Sequence, residues 1–425
     1  MKHIVRLTAF LNASVFSTAA IVGLSGHAIA AEKLKIGVLA SLEGPLSALG
    51  EDGVRGFQTA LKGHNSQAGG RELEVVIAAS DATPDSALRA ARKLVEQDQV
   101  DIVIGPVSGD EGIAVKEYAK TQPQVTFING DSAAQETTFS DPAPNFFRFN
   151  GDGAQWMSGL ASYIFNDKGY KSIAVLGDDY SFPYTQVHGL TIEYCSLGGK
   201  IADKFWAPLG AKDYSSIIAA LPDDVDAIFV ALGGSDAVNF TNQYQQAGGT
   251  AKLIGGAIMV DQTVLSAKGE AKKALLGTVS SGQQADTWDD PKWQAYVKAY
   301  QDAFPAEKRF PTPSGIGTGY YNAALAAFTA LDTINGDLSD GQKKFRETLA
   351  TMELDAPNGK IKLDGNRQAI VTNFVTEVVE DENGNLVNRL VNIVPNVTQS
   401  LGMDPEAYRK IGAPTRDGIE CKKYL

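Results

Sequence analysis

Short β-branched apolar runs alternate with amphipathic stretches of helical period along most of the 425-residue chain. Leu34–Leu39, Leu73–Ala78, Val100–Ile104 and Val125–Ile128 have the length and composition of buried strands. Between them, Val54–Leu61, Pro84–Glu96 and Gly112–Lys120 repeat their apolar residues at helical spacing. The second of these has Leu88, Ala91 and Val95 on one face and Pro84 at its first position, where proline has no bond to lose. A strand-to-strand step of about 25–30 residues predicts parallel βαβ units.

Phe146–Phe149 predicts a crossover into a second series of the same kind. Its strands are Ile173–Leu176, Lys200–Phe205, Ala227–Val230 and Leu253–Ile254. Its helices are Ala154–Asn166, Tyr184–Leu197, Ser215–Leu221 and Ala237–Gln246. Glu74–Gly105 and Lys200–Gly233 both run strand, polar turn, amphipathic helix, Val-Asp, strand, glycine. Gly277–Gly282 then predicts a return crossover, followed by helices over Trp293–Phe304, Gly319–Thr333 and Asp340–Met352. Ala356-Pro357-Asn358-Gly359 marks a third crossing, and Asp381-Glu382-Asn383-Gly384 is a turn signal inside a hairpin-like region. The chain therefore reads as an α/β protein of two similar lobes: 31–148 with 278–357, and 149–277 with 358–425. Three crossings make a hinge, which suits a cleft that closes on a ligand.

In an open α/β sheet, ligands bind outside the C-terminal ends of strands, where helix starts offer free N–H groups. Val100–Gly112 has this form, and Val225–Asp236 repeats it. The polar residues on such loops are the candidate ligand contacts. Ser108, Gly109, Asp110, Asp131 and Ser132 come from the first lobe, and Phe182, Tyr184, Ser235 and Asp261 from the second. For Asp110, Ser132 and Asp236, helix capping is the competing role. The set concentrates acids with few bases. A zwitterion, an amide, a hydroxylated solute or a mono-acid held by backbone N–H groups fits it better than a strongly anionic ligand.

The remaining features narrow the class. Lys2 and Arg6, the apolar Leu7–Leu24 run and Ala28-Ile29-Ala30 form a secretory leader over residues 1–30. The formal net charge of −12 disfavours nucleic-acid or anionic-membrane partners. Cys195 and Cys421 lack metal or redox spacing, and in an exported chain they are candidates for one disulfide. His64 and His188, in helical patterns, are expected on the solvated surface. Beyond the leader they are the only histidines, too few for a histidine-ligated metal or a serine hydrolase. No nucleophile elbow or phosphate loop is present, and Gly315-Ile316-Gly317-Thr318-Gly319 reads as a flexible helix start. No catalytic residue, metal or cofactor is expected.

Several segments carry a family resemblance. They are Lys35-Ile36-Gly37-Val38 with Gly44-Pro45-Leu46, Ile104-Gly105-Pro106-Val107-Ser108, Asp178-Asp179-Tyr180, Lys212-Asp213-Tyr214 and Val225-Asp226-Ala227-Ile228. In this order, behind an export leader, they resemble the solute-binding proteins of ABC importers of the branched-chain amino acid (Leu/Ile/Val) type. The resemblance implies a type I periplasmic binding fold that is non-catalytic and monomeric. Such a protein traps a small organic solute between its lobes and delivers it to an inner-membrane ABC permease. A ligand sensor of the same fold is the alternative, as is uptake of an aromatic acid or amide instead of an amino acid. The family's serine after Gly-Pro falls on Ser108, or is shifted onto Gly109-Asp110. Its ligand-backbone loop falls on Asp131-Ser132-Ala133, without the family's threonine. Its aromatic positions fall near Leu49, Phe182 and Ser235. Its ammonium-binding acid falls near Ala257, with Asp261 as the substitute from a neighbouring turn.

Overall fold

The computed structural model describes residues 33–267, 271–418 and 421; the leader predicted over 1–30 lies outside them. The first alternating series forms a six-stranded sheet in the order β2-β3-β1-β4-β5-β6. Its strands are β1 (Leu34–Ser41), β2 (Gln67–Ala68), β3 (Arg71–Ser80), β4 (Ile102–Ile104), β5 (Thr126–Ile128) and β6 (Phe146–Phe147). All pairings are parallel except the short β2–β3 contact. Every residue of β4 and β5 is buried, as expected where helices cover both faces of a parallel sheet.

The second series forms a larger mixed sheet, ordered β12-β13-β14-β11-β10-β9-β7-β8 with β15 on β14. Its parallel half comprises β7 (Ser172–Asp178), β8 (Lys200–Ala207), β9 (Ala227–Ala231), β10 (Lys252–Gly255) and β11 (Val279–Gly282). The antiparallel half adds β12 (Leu354–Ala356), β13 (Gly359–Leu363), β14 (Ala369–Glu380) and β15 (Leu386–Val397). The β14–β15 hairpin turns where the sequence signals it, with the Asp381 amide bonded to the Asn385 carbonyl at 2.8 Å. Strand β11, assigned by sequence to the first lobe, is hydrogen-bonded into this second sheet instead.

The helices after β11 return to the first sheet. Helix Gly315–Thr333 lies along helix Ser47–Gly63, with Phe57 and Phe328 edge to face at 6.2 Å. The glycines that read as a flexible start are packing residues. A Cβ on Gly56 would lie 1.9 Å from the Gly317 carbonyl, and one on Gly319 would lie 2.1 Å from Asp131 Oδ1. Only glycine permits approaches this close. The predicted helix Ala154–Asn166 is also interrupted. Gly159 adopts φ +83° between a short turn at Gln155–Met157 and the helical run from Leu160.

A buried polar cluster joins the chain passages between the sheets. Arg148, fully buried, donates to the carbonyls of Ala134 (2.7 Å) and Ser132 (3.3 Å), to Thr138 Oγ1 (2.7 Å) and to Gln368. Asp152 faces it at 3.7 Å. Burial lowers the Arg148 guanidinium to about 10, a shift opposed by Asp152 and other acids. Near another passage, Asn358 Nδ2 donates to the Gln283 carbonyl at 3.1 Å. Cys195 and Cys421 form a disulfide, with Cα atoms 5.1 Å apart. His188, expected at the surface, is buried edge to face with Tyr408, and burial lowers its pKa to about 4. The correction follows from helix Ser181–Ser196 being covered on almost every side, including by helix Pro405–Ile411 of the tail.

Candidate functional site

Asp131 lies on the loop after β5. Its amide donates to the Pro106 carbonyl at 3.0 Å, and the bonds from Arg148 to the Ser132 and Ala134 carbonyls hold the rest of that loop. The Asp131 carboxylate is buried and receives one side-chain amide, Gln283 Nε2, at 3.1 and 3.2 Å from its two oxygens. Burial pushes its pKa well above the usual carboxylate range; the Gln283 bond opposes this and the Asp261 charge adds to it.

Two cavities meet at this carboxylate. The larger, with a cavity volume of about 30 Å³, lies between β11, the turn at Ala257–Asp261 and the start of helix Gly315–Thr333. Its polar wall includes Asp261, Ser280, Gln283, Gln284 and Asn388. The smaller, about 10 Å³, is walled by Leu46, Leu49, Val107, Ala133, Tyr180 and Phe182. Asp131, Trp156, Ile258 and Ile316 border both. The Trp156 and Phe182 rings meet edge to face at 5.7 Å. The walls thus combine loops of the first sheet, loops of the second and the returning helix. Among the described residues they include no Lys, Arg or His.

Asp261 caps helix Gln262–Leu265 through Thr263 N (2.9 Å) and also accepts from Gly315 N (2.7 Å). It therefore ties a turn of the second sheet to the returning helix. Burial raises its pKa to about 7 against the pull of these two N–H bonds.

Asp131, Phe182 and Asp261 of the predicted contacts line these cavities; the other six do not. Ser108 caps helix Gly109–Ala119 in a capping box with Glu111 and donates to the Ala82 carbonyl at 2.9 Å. Gly109 is packed so tightly that an added Cβ would lie 2.5 Å from Ser181 Oγ. Asp110 accepts from the Ser181 amide at 3.2 Å, bridging the starts of two helices. Ser132 donates to Asn129 Oδ1 at 2.5 Å. Tyr184 bonds Asp179 and packs edge to face on Trp206, and Ser235 donates to Asp236 at 3.0 Å. Capping and local bonding thus occupy most of the short polar side chains, the expected competition at helix starts. Sequence reading missed Trp156, Ile258, Gln283, Gln284 and Ile316. Gln283 had a legible signal, since it directly follows a short strand on the edge where binding loops gather.

A parallel sheet and a mixed sheet joined by repeated chain passages, with cavities between their loops, define a two-lobed solute-binding protein of the type I periplasmic fold. The model of the periplasmic binding protein family matches residues 33–384, and the chain belongs to that family. It is 28% identical over 369 residues to the leucine-, isoleucine-, valine-, threonine-, and alanine-binding protein of Pseudomonas aeruginosa, covering 82% of this chain and 91% of that one. An ABC transporter substrate-binding protein from Sphaerobacter thermophilus superposes with TM-score 0.76 at 27% identity, covering 86% of this chain and 98% of that one. A Rhodopseudomonas palustris solute-binding protein in complex with 3,4-dihydroxybenzoic acid shares the fold, with TM-score 0.77 at 22% identity over 86% and 98%. The chain is accordingly a substrate-binding protein of an ABC transporter.

Proposed function

We propose that this protein captures a small organic solute, an amino acid or a related compound, in the space around Asp131 and hands it to the permease of its transporter. The observation that carries the reading is the junction of the two cavities. Loops from both sheets reach one carboxylate there, so a ligand in that space touches both lobes. A ligand with contacts in both lobes favours the closed arrangement, because only differential affinity shifts a hinge equilibrium. The lobes divide at 31–148 with 278–357 and 149–277 with 358–425, except that β11 and β12 pair in the second sheet. Asp131, Phe182 and Asp261, together with Trp156 and Gln283, form the contact set. The protein works without catalysis, as a periplasmic monomer after removal of its leader.

The Pseudomonas aeruginosa relative supports an amino acid by its name, and the Rhodopseudomonas palustris neighbour an aromatic acid by its bound ligand. A thermal-shift screen of unfolded, stripped and refolded protein against amino acids, amides, aromatic acids and amines tests the function. A solute at about 100 times its Kd adds about 2.7 kcal/mol of stability. One chemical class raising the midpoint is the expected result. A flat response across the panel overturns solute capture.

A further inference from the structure

The hydrogen-bonding balance of the cavity walls is one-sided. Gln283 spends its amide hydrogens on Asp131 and on the Gly315 carbonyl (2.6 Å), which leaves its Oε1 without a partner. Asn388 spends its amide on the Val260 carbonyl (2.7 Å) and likewise leaves Oδ1 unpartnered. Both side chains are over nine-tenths buried, at 5% and 7% exposure. Asp131, bonded by one side-chain amide, has further lone pairs to satisfy. Against these acceptors the walls hold one orphaned donor, the Trp156 indole N–H. Buried polar groups without partners carry a desolvation penalty that a complementary ligand removes. A ligand that answers this wall brings N–H donors.

The charge balance agrees. Two carboxylates, Asp131 and Asp261, face the space, and the walls contain no cationic side chain among the described residues. A ligand carboxylate finds no countercharge here, whereas a ligand ammonium draws these buried acids into their ionised form. The apolar chamber beside Asp131 is walled by Leu46, Leu49, Val107 and Phe182.

We infer that the site selects a small primary amine: an ammonium group at Asp131, its apolar substituent packed against Leu46, Leu49, Val107 and Phe182 as the lobes close on it, and no need for a carboxylate. The inference rests on the proposed capture of a solute and names the class of that solute. Gln283 Oε1 and Asn388 Oδ1 lie on the polar side, where they accept from any further hydroxyl or amide N–H the ligand carries.

The test is a matched series titrated calorimetrically into the stripped, refolded protein at pH 8. Isoamylamine and phenethylamine are compared with 4-methylpentanoate and 3-phenylpropanoate, with the corresponding primary amides, and with leucine and phenylalanine. The expected result is that an amine binds at least about 30-fold tighter than its matched acid, the scale of a buried charge pair against a buried carboxylate without a countercharge. Asp131→Asn should remove that preference and leave the unliganded midpoint unchanged or higher, because it removes a buried carboxylate. The wild-type series decides the matter even if the variant does not fold. Acids, amides or amino acids binding as tightly as the amines would overturn the inference and leave solute capture standing. Amines binding Asp131→Asn as well as wild type would also overturn it. No binding by any member of the series overturns the amine assignment, and solute capture falls with it only if the broader screen is flat as well.

Discussion

Asp261 ties the Ala257–Asp261 turn to helix Gly315–Thr333 through a carboxylate whose pKa is raised to about 7 by burial. The unfolded chain releases that proton near pH 4. Between about pH 4 and 7 the native state therefore holds a proton that the unfolded state has given up. Stability from this group is fully present below pH 4 and declines as pH rises toward 7. At about 1.4 kcal/mol per pKa unit, a shift of about 3 units costs about 4 kcal/mol once both states are ionised. About 2.7 kcal/mol of that cost accrues between pH 5 and pH 8. Asp261→Asn cannot titrate. Its single amide oxygen keeps one of the two N–H bonds to Thr263 and Gly315, so the variant carries a pH-independent loss of about 1 kcal/mol. Urea unfolding of ligand-free wild type and variant from pH 5 to pH 8 reads the difference directly, because titration of the other acids largely cancels. The variant should gain about 2–3 kcal/mol relative to wild type across that range. Two parallel stability curves would refute the reasoning and mean that Asp261 ionises normally inside the fold.

Arg148→Met should cost about 3–5 kcal/mol in urea unfolding, because it leaves Asp152 buried without its countercharge; a loss under 1 kcal/mol would show that the cluster is not a buried ion pair. Gly319→Ala should weaken binding of the solute found by screening about 10-fold or more. Its Cβ overlaps the Asp131 carboxylate even though alanine favours the helix, and unchanged affinity in titration calorimetry would free Asp131 from that cradle. Replacing Cys195 and Cys421 together by serine should lower stability by about 2–4 kcal/mol while leaving affinity unchanged. The crosslink closes a long loop, its ends 226 positions apart, but lies away from both cavities. Equal unfolding midpoints with and without reductant would contradict this.

The fold was more legible than the site, for a physical reason. Strands such as β4 and β9 are buried on both faces, so their composition alone marks them. Most helices fell within a few residues of their observed ends; Ser47–Gly63 starts seven residues before its predicted Val54, because the turn at Gly44-Pro45 masks the beginning. Strand β11 was assigned to the wrong lobe, since four residues carry no signal of which sheet will pair them. In the site, short polar residues after strands have two uses, and in Ser108, Ser132 and Ser235 local bonding claimed the side chain. Asp131 and Asp261 were candidates as acids on loops that follow strands, and the structure places both at the cavity walls. Trp156 lies more than a hundred residues from Gln283 and Ile316, and the three come together only through chain passages and a helix return, which no local pattern encodes.

Hydrogen exchange with and without a saturating solute tests most directly whether the ligand sits between the two lobes. Protection should rise together at 131–134 beside the first sheet and at 156–157, 258–262 and 282–284 beside the second. Protection confined to one of these groups, or appearing instead at the groove lined by Ser158, Ile192 and Val394–Met403, would place the ligand elsewhere and contradict capture at Asp131.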